Sequence, residues 1–129
     1  MVTFQSHESI LYYISKDSKQ TNKLACFDLD HTLFKPKRTV FPKDENDWIY
    51  FCEYVIDALT EEYNNDFRII IFSNQSGKSQ PEMKMQRIKN FLEATPIPID
   101  IFMALEDDKY RKPNTGMFDF MCQQCNIID

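Results

Sequence analysis

Apolar positions along the chain follow two periods. Residues 9–14 (Ser-Ile-Leu-Tyr-Tyr-Ile) are rich in β-branched and aromatic side chains and predict a strand. The run Lys23-Leu24-Ala25-Cys26-Phe27 ends in charge and predicts a buried strand over 24–28. Residues 67–72 (Phe-Arg-Ile-Ile-Ile-Phe) are almost continuously apolar, as in a parallel strand covered on both faces, and 99–105 predict a fourth strand. Elsewhere the spacing is helical. Asn46 or Asp47 would cap a helix whose stripe is Trp48, Phe51, Cys52, Val55, Ile56 and Leu59. Ser79 and Pro81 open a second helix, with Met85, Ile88, Phe91 and Leu92 on one face and Thr95-Pro96 at its end. Pro113 opens a third, with Met117, Phe118, Met121 and Cys125 on one side. Between Phe34 and Asp47, Pro36, Pro42 and many charges predict a loop. Strands alternating with helices predict an α/β layer fold with right-handed crossovers.

Length and composition narrow this picture. The 129 residues make one ordinary domain, with 43% hydrophobic and 27% charged residues. No apolar run approaches a membrane span, and no basic-then-apolar leader stands at the N-terminus, so an intracellular protein (nucleus or cytoplasm) is expected. Cys26, Cys52, Cys122 and Cys125 then read as reduced thiols. A net charge of −5 argues against a uniformly basic nucleic-acid coat. Basic residues nevertheless cluster at Lys35, Lys37 and Arg38, at Lys78, and at Lys109, Arg111 and Lys112, which leaves room for a local anion site. Only Gly77 and Gly116 are glycine, where average usage gives roughly nine, so each is expected where other residues fit badly.

Three polar segments fall at the C-terminal ends of predicted strands: Asp28-Leu29-Asp30-His31-Thr32, Ser73-Asn74-Gln75-Ser76-Gly77 and Arg111-Lys112-Pro113. In a parallel sheet those ends share one edge, where ligands bind. Each segment alone has an ordinary structural reading: a solvated turn, a helix cap, a surface lysine. Together they suit phosphoryl transfer. They supply a carboxylate nucleophile, a second carboxylate as proton donor, donors for phosphate oxygens and a cation for developing charge. Asp28 and Asp30 are close enough in sequence to share a divalent cation such as Mg²⁺.

These segments resemble the haloacid dehalogenase superfamily, whose first motif is Asp-x-Asp-x-Thr after the first core strand. Within it the chain is most similar to the 3′-phosphatase domain of polynucleotide kinase-phosphatases. The likeness rests on residues 23–30, Phe41-Pro42 with Asp47-Trp48, residues 71–77, and Tyr110-Arg111-Lys112-Pro113-Asn114-Thr115-Gly116-Met117. The resemblance implies a haloacid dehalogenase-like, Rossmann-like parallel sheet with flanking helices. It implies Asp28 as nucleophile, Asp30 as general acid and base, and Lys112 as the cation beside them. Ser73 and Asn74 would hold phosphate, Thr32 would brace the first loop, and Asp28 with the Asp30 carbonyl would ligate Mg²⁺. It implies hydrolysis of 3′-phosphate at DNA ends through an aspartyl-phosphate, in the context of DNA repair. No P-loop is present, so kinase activity is not expected. His31 stands where the superfamily usually has glycine.

The same resemblance sets expectations about organisation. Residues 1–22 would be an N-terminal strand extension and 23–129 a core that ends before the family's fourth, acidic motif. Asn126-Ile127-Ile128-Asp129 read like the approach to a further strand, so the core would be truncated, with its sheet edge covered by a protein partner. Glu106, Asp107 and Asp108 read better as a solvated acidic loop, with substitution of one of them for the missing acid as the alternative. Cys122-Gln123-Gln124-Cys125 has zinc or redox spacing but reads better as two helical core thiols. Trp48 reads as a packing aromatic, with nucleotide stacking as the alternative. Two other functions stay open: a small-molecule phosphatase of the histidinol-phosphate type, and an inactive phosphatase-like binding module.

Overall fold

A computed structural model describes residues 1–127. In chain order they form β1 (Gln5–His7), β2 (Ile10–Tyr13), β3 (Leu24–Phe27), β4 (Phe34–Lys35), β5 (Ile49–Tyr50), α1 (Val55–Asn64), β6 (Arg68–Asn74), α2 (Pro81–Ala94), β7 (Asp100–Ala104) and α3 (Gly116–Gln124). Five strands make one sheet in the order β1-β2-β7-β6-β3, and β4 pairs with β5 in a separate ribbon. The two residues Ile128 and Asp129, part of the expected approach to a further strand, lie outside the described residues.

The sheet is mixed, where an all-parallel one was expected. β3, β6 and β7 run parallel, but β2 pairs antiparallel with both β1 and β7. Only the two residues Glu8 and Ser9 separate β1 from β2, which allows a hairpin and no crossover. β1 itself, Gln-Ser-His, is exposed throughout and carries no apolar signal.

Alternation along the central strands divides the core in two. Ile69 and Ile71 of β6 and Ile101 and Met103 of β7 pack with Val55 and Leu59 of α1 and Ile88, Phe91 and Leu92 of α2. Ile70, Phe102 and Ala104 turn to the other face, against Met117, Phe120 and Met121 of α3. The sheet is therefore covered on both faces, as the unbroken apolar run of β6 requires. β3 is less buried than expected, and Cys26 is exposed, because β3 is an edge strand whose one neighbour among the described residues is β6.

Two helices begin later than expected. α1 starts at Val55, because Trp48-Ile49-Tyr50 alternates as a strand: Ile49 is exposed while Trp48 and Tyr50 pack on Phe91. Trp48 is a packing aromatic, also in edge contact with Tyr50. α3 starts at Gly116, and Phe120, not Phe118, is the buried aromatic.

Asp47 caps no helix. Its two carboxylate oxygens accept the backbone N–H groups of Lys37 and Lys43, each at 2.8 Å, and so close the 37–47 loop on itself. Those bonds hold its carboxyl below the usual carboxylate range. Asp47→Asn is expected to lower stability by about 1–2 kcal/mol at neutral pH, as for a lost cap. A depressed carboxylate stabilises above its unfolded pKa, and that contribution is lost as pH falls through the folded value. Urea unfolding should therefore show the gap between wild type and variant narrowing below about pH 4.

Neither glycine has a positive φ; close backbone approach explains both. A Cβ on Gly116 would stand 2.5 Å from the Lys109 carbonyl oxygen, and one on Gly77 3.3 Å from that of Leu105. Gly116 thereby lets α3 start directly beneath the 109–112 segment.

Candidate active site

Because β3, β6 and β7 are parallel, the segments that follow them emerge at one edge of the sheet. After β3 the chain turns tightly around the Leu29 carbonyl, which accepts the N–H groups of Thr32 (3.2 Å), Leu33 (2.9 Å) and Phe34 (3.3 Å). Leu29 is fully buried, so its neighbours Asp28 and Asp30 face outward. His31 takes φ 56°, a left-handed conformation that favours glycine, and is exposed.

Lys112 reaches back across this edge. Its Nζ donates to Asp28 Oδ1 at 2.9 Å and to the Phe72 carbonyl at 2.8 Å. Both side chains are substantially open to solvent, so the pair adds little stability. What it provides is placement. The Lys112 backbone is gripped by Asn74, whose Oδ1 accepts the Lys112 N–H at 2.9 Å and whose Nδ2 donates to the Lys112 carbonyl at 3.2 Å. The Asn74 amide is thus committed to positioning Lys112.

Gln75 makes the second bridge. Its Nε2 donates to Asp30 Oδ2 at 2.8 Å and to Ser73 Oγ at 2.7 Å. Ser73 is fully buried, while Gln75 is pinned by its own N–H to Ala104 and by Arg111, whose Nη1 donates to the Gln75 carbonyl at 3.1 Å. Two hydrogen-bonded groups therefore stand on the same segments, Asp28 with Lys112 and Asn74, and Asp30 with Gln75 and Ser73. Thr32 is part of neither: it is exposed, and its hydroxyl makes no hydrogen bond to these groups among the described residues.

Sequence reasoning assigned no role to Gln75, Arg111 or Arg87. Gln75 adjoins Asn74 and Arg111 adjoins Lys112, so adjacency was the one signal they carried. Arg87 gave a different signal, an arginine adjoining the apolar stripe of α2. It is buried, its Nε donates to the Asp47 carbonyl at 2.7 Å, and its guanidinium lies 4.2 Å from the centre of the Phe34 ring.

The acidic run after β7 does not complete the group. Asp108 anchors a turn, accepting Ser9 Oγ at 2.5 Å and the Tyr110 N–H at 3.0 Å, and these bonds hold its carboxyl low. Glu106 and Asp107 line a cavity with Glu8, Ser9 and Gly77, beside the Arg111 side of the cleft. Among the described residues, no three His, Cys, Asp or Glu side chains gather as a metal site. The donors available to a hard cation are the Asp28 carboxylate, whose Oδ2 accepts no hydrogen bond among the described residues, and the Asp30 backbone carbonyl. Such a set suits Mg²⁺, which is commonly held by one or two carboxylates, substrate phosphate and water.

None of the four cysteines is in a disulfide. Cys125, just beyond α3, is buried in the α3-side core, which pushes its thiol up to about 11. No helix among the described residues is long and apolar enough to cross a membrane.

Comparison with known proteins gives a consistent result. The family model described as polynucleotide kinase 3 phosphatase matches residues 23–129. The chain is 34% identical, over its whole length and 72% of the other protein, to the uncharacterized 20.8 kDa protein in the FGF-VUBI intergenic region of Autographa californica nuclear polyhedrosis virus. It is 36% identical over 88% of its length to the bifunctional polynucleotide phosphatase/kinase of Schizosaccharomyces pombe, and spans 30% of that protein. It is 24% identical over 95% of its length to a polynucleotide 3′-phosphatase of Arabidopsis thaliana, and spans 20% of that protein.

Proposed function

The chain belongs to the polynucleotide kinase 3 phosphatase family, and from that premise we propose that it hydrolyses 3′-phosphate at polynucleotide ends, DNA ends in particular. The observation that carries the reading is the Lys112 ammonium, locked by Asn74 and Phe72 onto the carboxylate of Asp28. A cation fixed beside a carboxylate at a strand end is a site for an incoming anion that the carboxylate can attack. The finer fold reading, a haloacid dehalogenase-like core, is supported by the order of these groups after β3, β6 and β7.

In the proposed mechanism an Asp28 oxygen attacks phosphorus and the bond from phosphorus to the 3′-oxygen breaks. Asp30 gives its proton to that departing oxygen, leaving a 3′-hydroxyl and a phosphoryl group on Asp28. Asp30, now a carboxylate, takes a proton from water, whose oxygen attacks the phosphoryl group. Inorganic phosphate leaves and Asp28 is regenerated. Lys112 offsets charge on the phosphoryl oxygens throughout. Gln75 orients Asp30 through Oδ2, leaving Oδ1 for proton transfer. Mg²⁺, held by the Asp28 carboxylate and the Asp30 backbone carbonyl, would neutralise charge between the nucleophile and the phosphate dianion.

The reading is tested by incubating the purified protein with Mg²⁺ and a 3′-phosphorylated oligonucleotide. Phosphate release that chelation removes supports it. Release from histidinol phosphate alone would favour a small-molecule phosphatase, and release from neither would leave a binding module.

A further inference from the structure

We propose that the cavity lined by Asp30, Arg87 and Lys84 is a second anion subsite, built on Arg87 and Lys84, that takes the phosphodiester adjoining the 3′-terminal phosphate.

Arg87 is 4% exposed. One edge of its guanidinium is used by the Asp47 carbonyl and one face by the Phe34 ring. Nη2, however, is buried and has no acceptor. A buried donor left unpaired is destabilising, and more so when it belongs to a cation. A methionine would cover Phe34 without that penalty. One N–H group of the guanidinium thus lacks an acceptor among the described residues, and an anion that reached it would remove that cost.

There is space for one. Arg87 lines a cavity of about 170 Å³ with Asp30, His31, Phe41, Gln75 and Lys84, against about 30 Å³ for a water. Two cations and one carboxylate face it, so the cavity has a positive excess. Pro36, Val40 and Pro42 complete an apolar wall, which raises the strength of a charge-assisted bond inside. Asp30 and Gln75 belong to both the cavity and the reacting group, so the two anion positions adjoin. In a polynucleotide 3′-phosphate, the next anion along the chain is a phosphodiester. That identification of the ligand rests on the polynucleotide reading; the anion subsite itself does not.

The test is binding of a tetrathymidylate with a 3′-hydroxyl, read by calorimetry and independent of turnover. It is compared with the same oligonucleotide carrying an uncharged methylphosphonate at its last linkage only. Wild type should prefer the charged form roughly tenfold or more. Arg87→Met should reduce that ratio to about one, with thermal unfolding confirming the fold. Should Arg87→Met fail to fold, Arg87→Lys keeps the cation but loses the planar fork, and should still lower the ratio. Equal binding of the two oligonucleotides by wild type, or an undiminished ratio in a folded variant, overturns the subsite. Discrimination without hydrolysis of the 3′-phosphorylated form would overturn the phosphatase reading alone; hydrolysis without discrimination would overturn the subsite alone.

Discussion

Asp28→Asn is expected to lower phosphate release from a 3′-phosphorylated oligonucleotide by roughly four to six orders of magnitude, the scale seen when a covalent nucleophile is removed. The substitution is chosen because so little else changes. An asparagine carbonyl can still accept from the Leu29 N–H and from Lys112 Nζ, which both meet Asp28 Oδ1. The Asp28–Lys112 pair is solvent-screened, so losing its charge should move stability by no more than about 1 kcal/mol. Lys112 itself stays in place, held by Asn74 and the Phe72 carbonyl. A variant with unchanged unfolding and no turnover therefore isolates the attacking oxygen. A single-turnover assay with labelled 3′-phosphate reads both steps, and activity within tenfold of wild type would remove Asp28 from the nucleophile's role.

How much of this was visible in the sequence depends on whether a residue's role is local. The apolar run of β6 and the Met85–Leu92 stripe of α2 gave their elements correctly because burial on one or two faces imposes a period directly. The convergence of Asp28, Ser73 and Lys112 followed from parallel strand ends alone. The start of α1 was not legible. Trp48 and Tyr50 fit a strand of period two, while Trp48, Phe51, Cys52 and Val55 fit a helical stripe, and pairing of β5 with β4 decided the matter. The mixed sheet was hidden because β1 is polar and its partner is reached by a hairpin. Gln75 and Arg87 act through contacts |i−j| of 45 and 40 away, to Asp30 and Asp47, which no local pattern encodes. His31 is an intermediate case: its φ of 56° is one that favours glycine, a strain that its residue type does not announce and that falls at an exposed turn.

Asp100→Ala should produce the largest loss of stability, about 3–5 kcal/mol, because it strands a buried cation. Asp100 is fully buried at the start of β7, and Arg68, 2% exposed, stands at the start of β6. Arg68 Nε donates to Asp100 Oδ2 at 2.5 Å, while Oδ1 accepts Ser18 Oγ at 2.6 Å and the Ser15 N–H at 2.9 Å. One carboxylate thus neutralises the guanidinium and fastens the chain between β2 and β3 to the sheet. Removing it leaves the Arg68 Nε–H and the Ser15 N–H without an acceptor in a dry site. Against a total stability of about 5–15 kcal/mol for a domain, that is a large share. The pair need not be irreplaceable. Arg68→Met combined with Asp100→Leu removes both charges, and most of the loss should return, since an apolar pair of similar volume often does as well. Urea unfolding of the two single variants and the double variant gives the coupling between the sites. The pair lies at the N-terminal ends of β6 and β7, opposite the edge that carries Asp28 and Lys112. Turnover per folded molecule should therefore be unchanged in Asp100→Ala. A single-variant loss under about 1 kcal/mol, or a double variant no more stable than Asp100→Ala, would contradict the stranded-charge account.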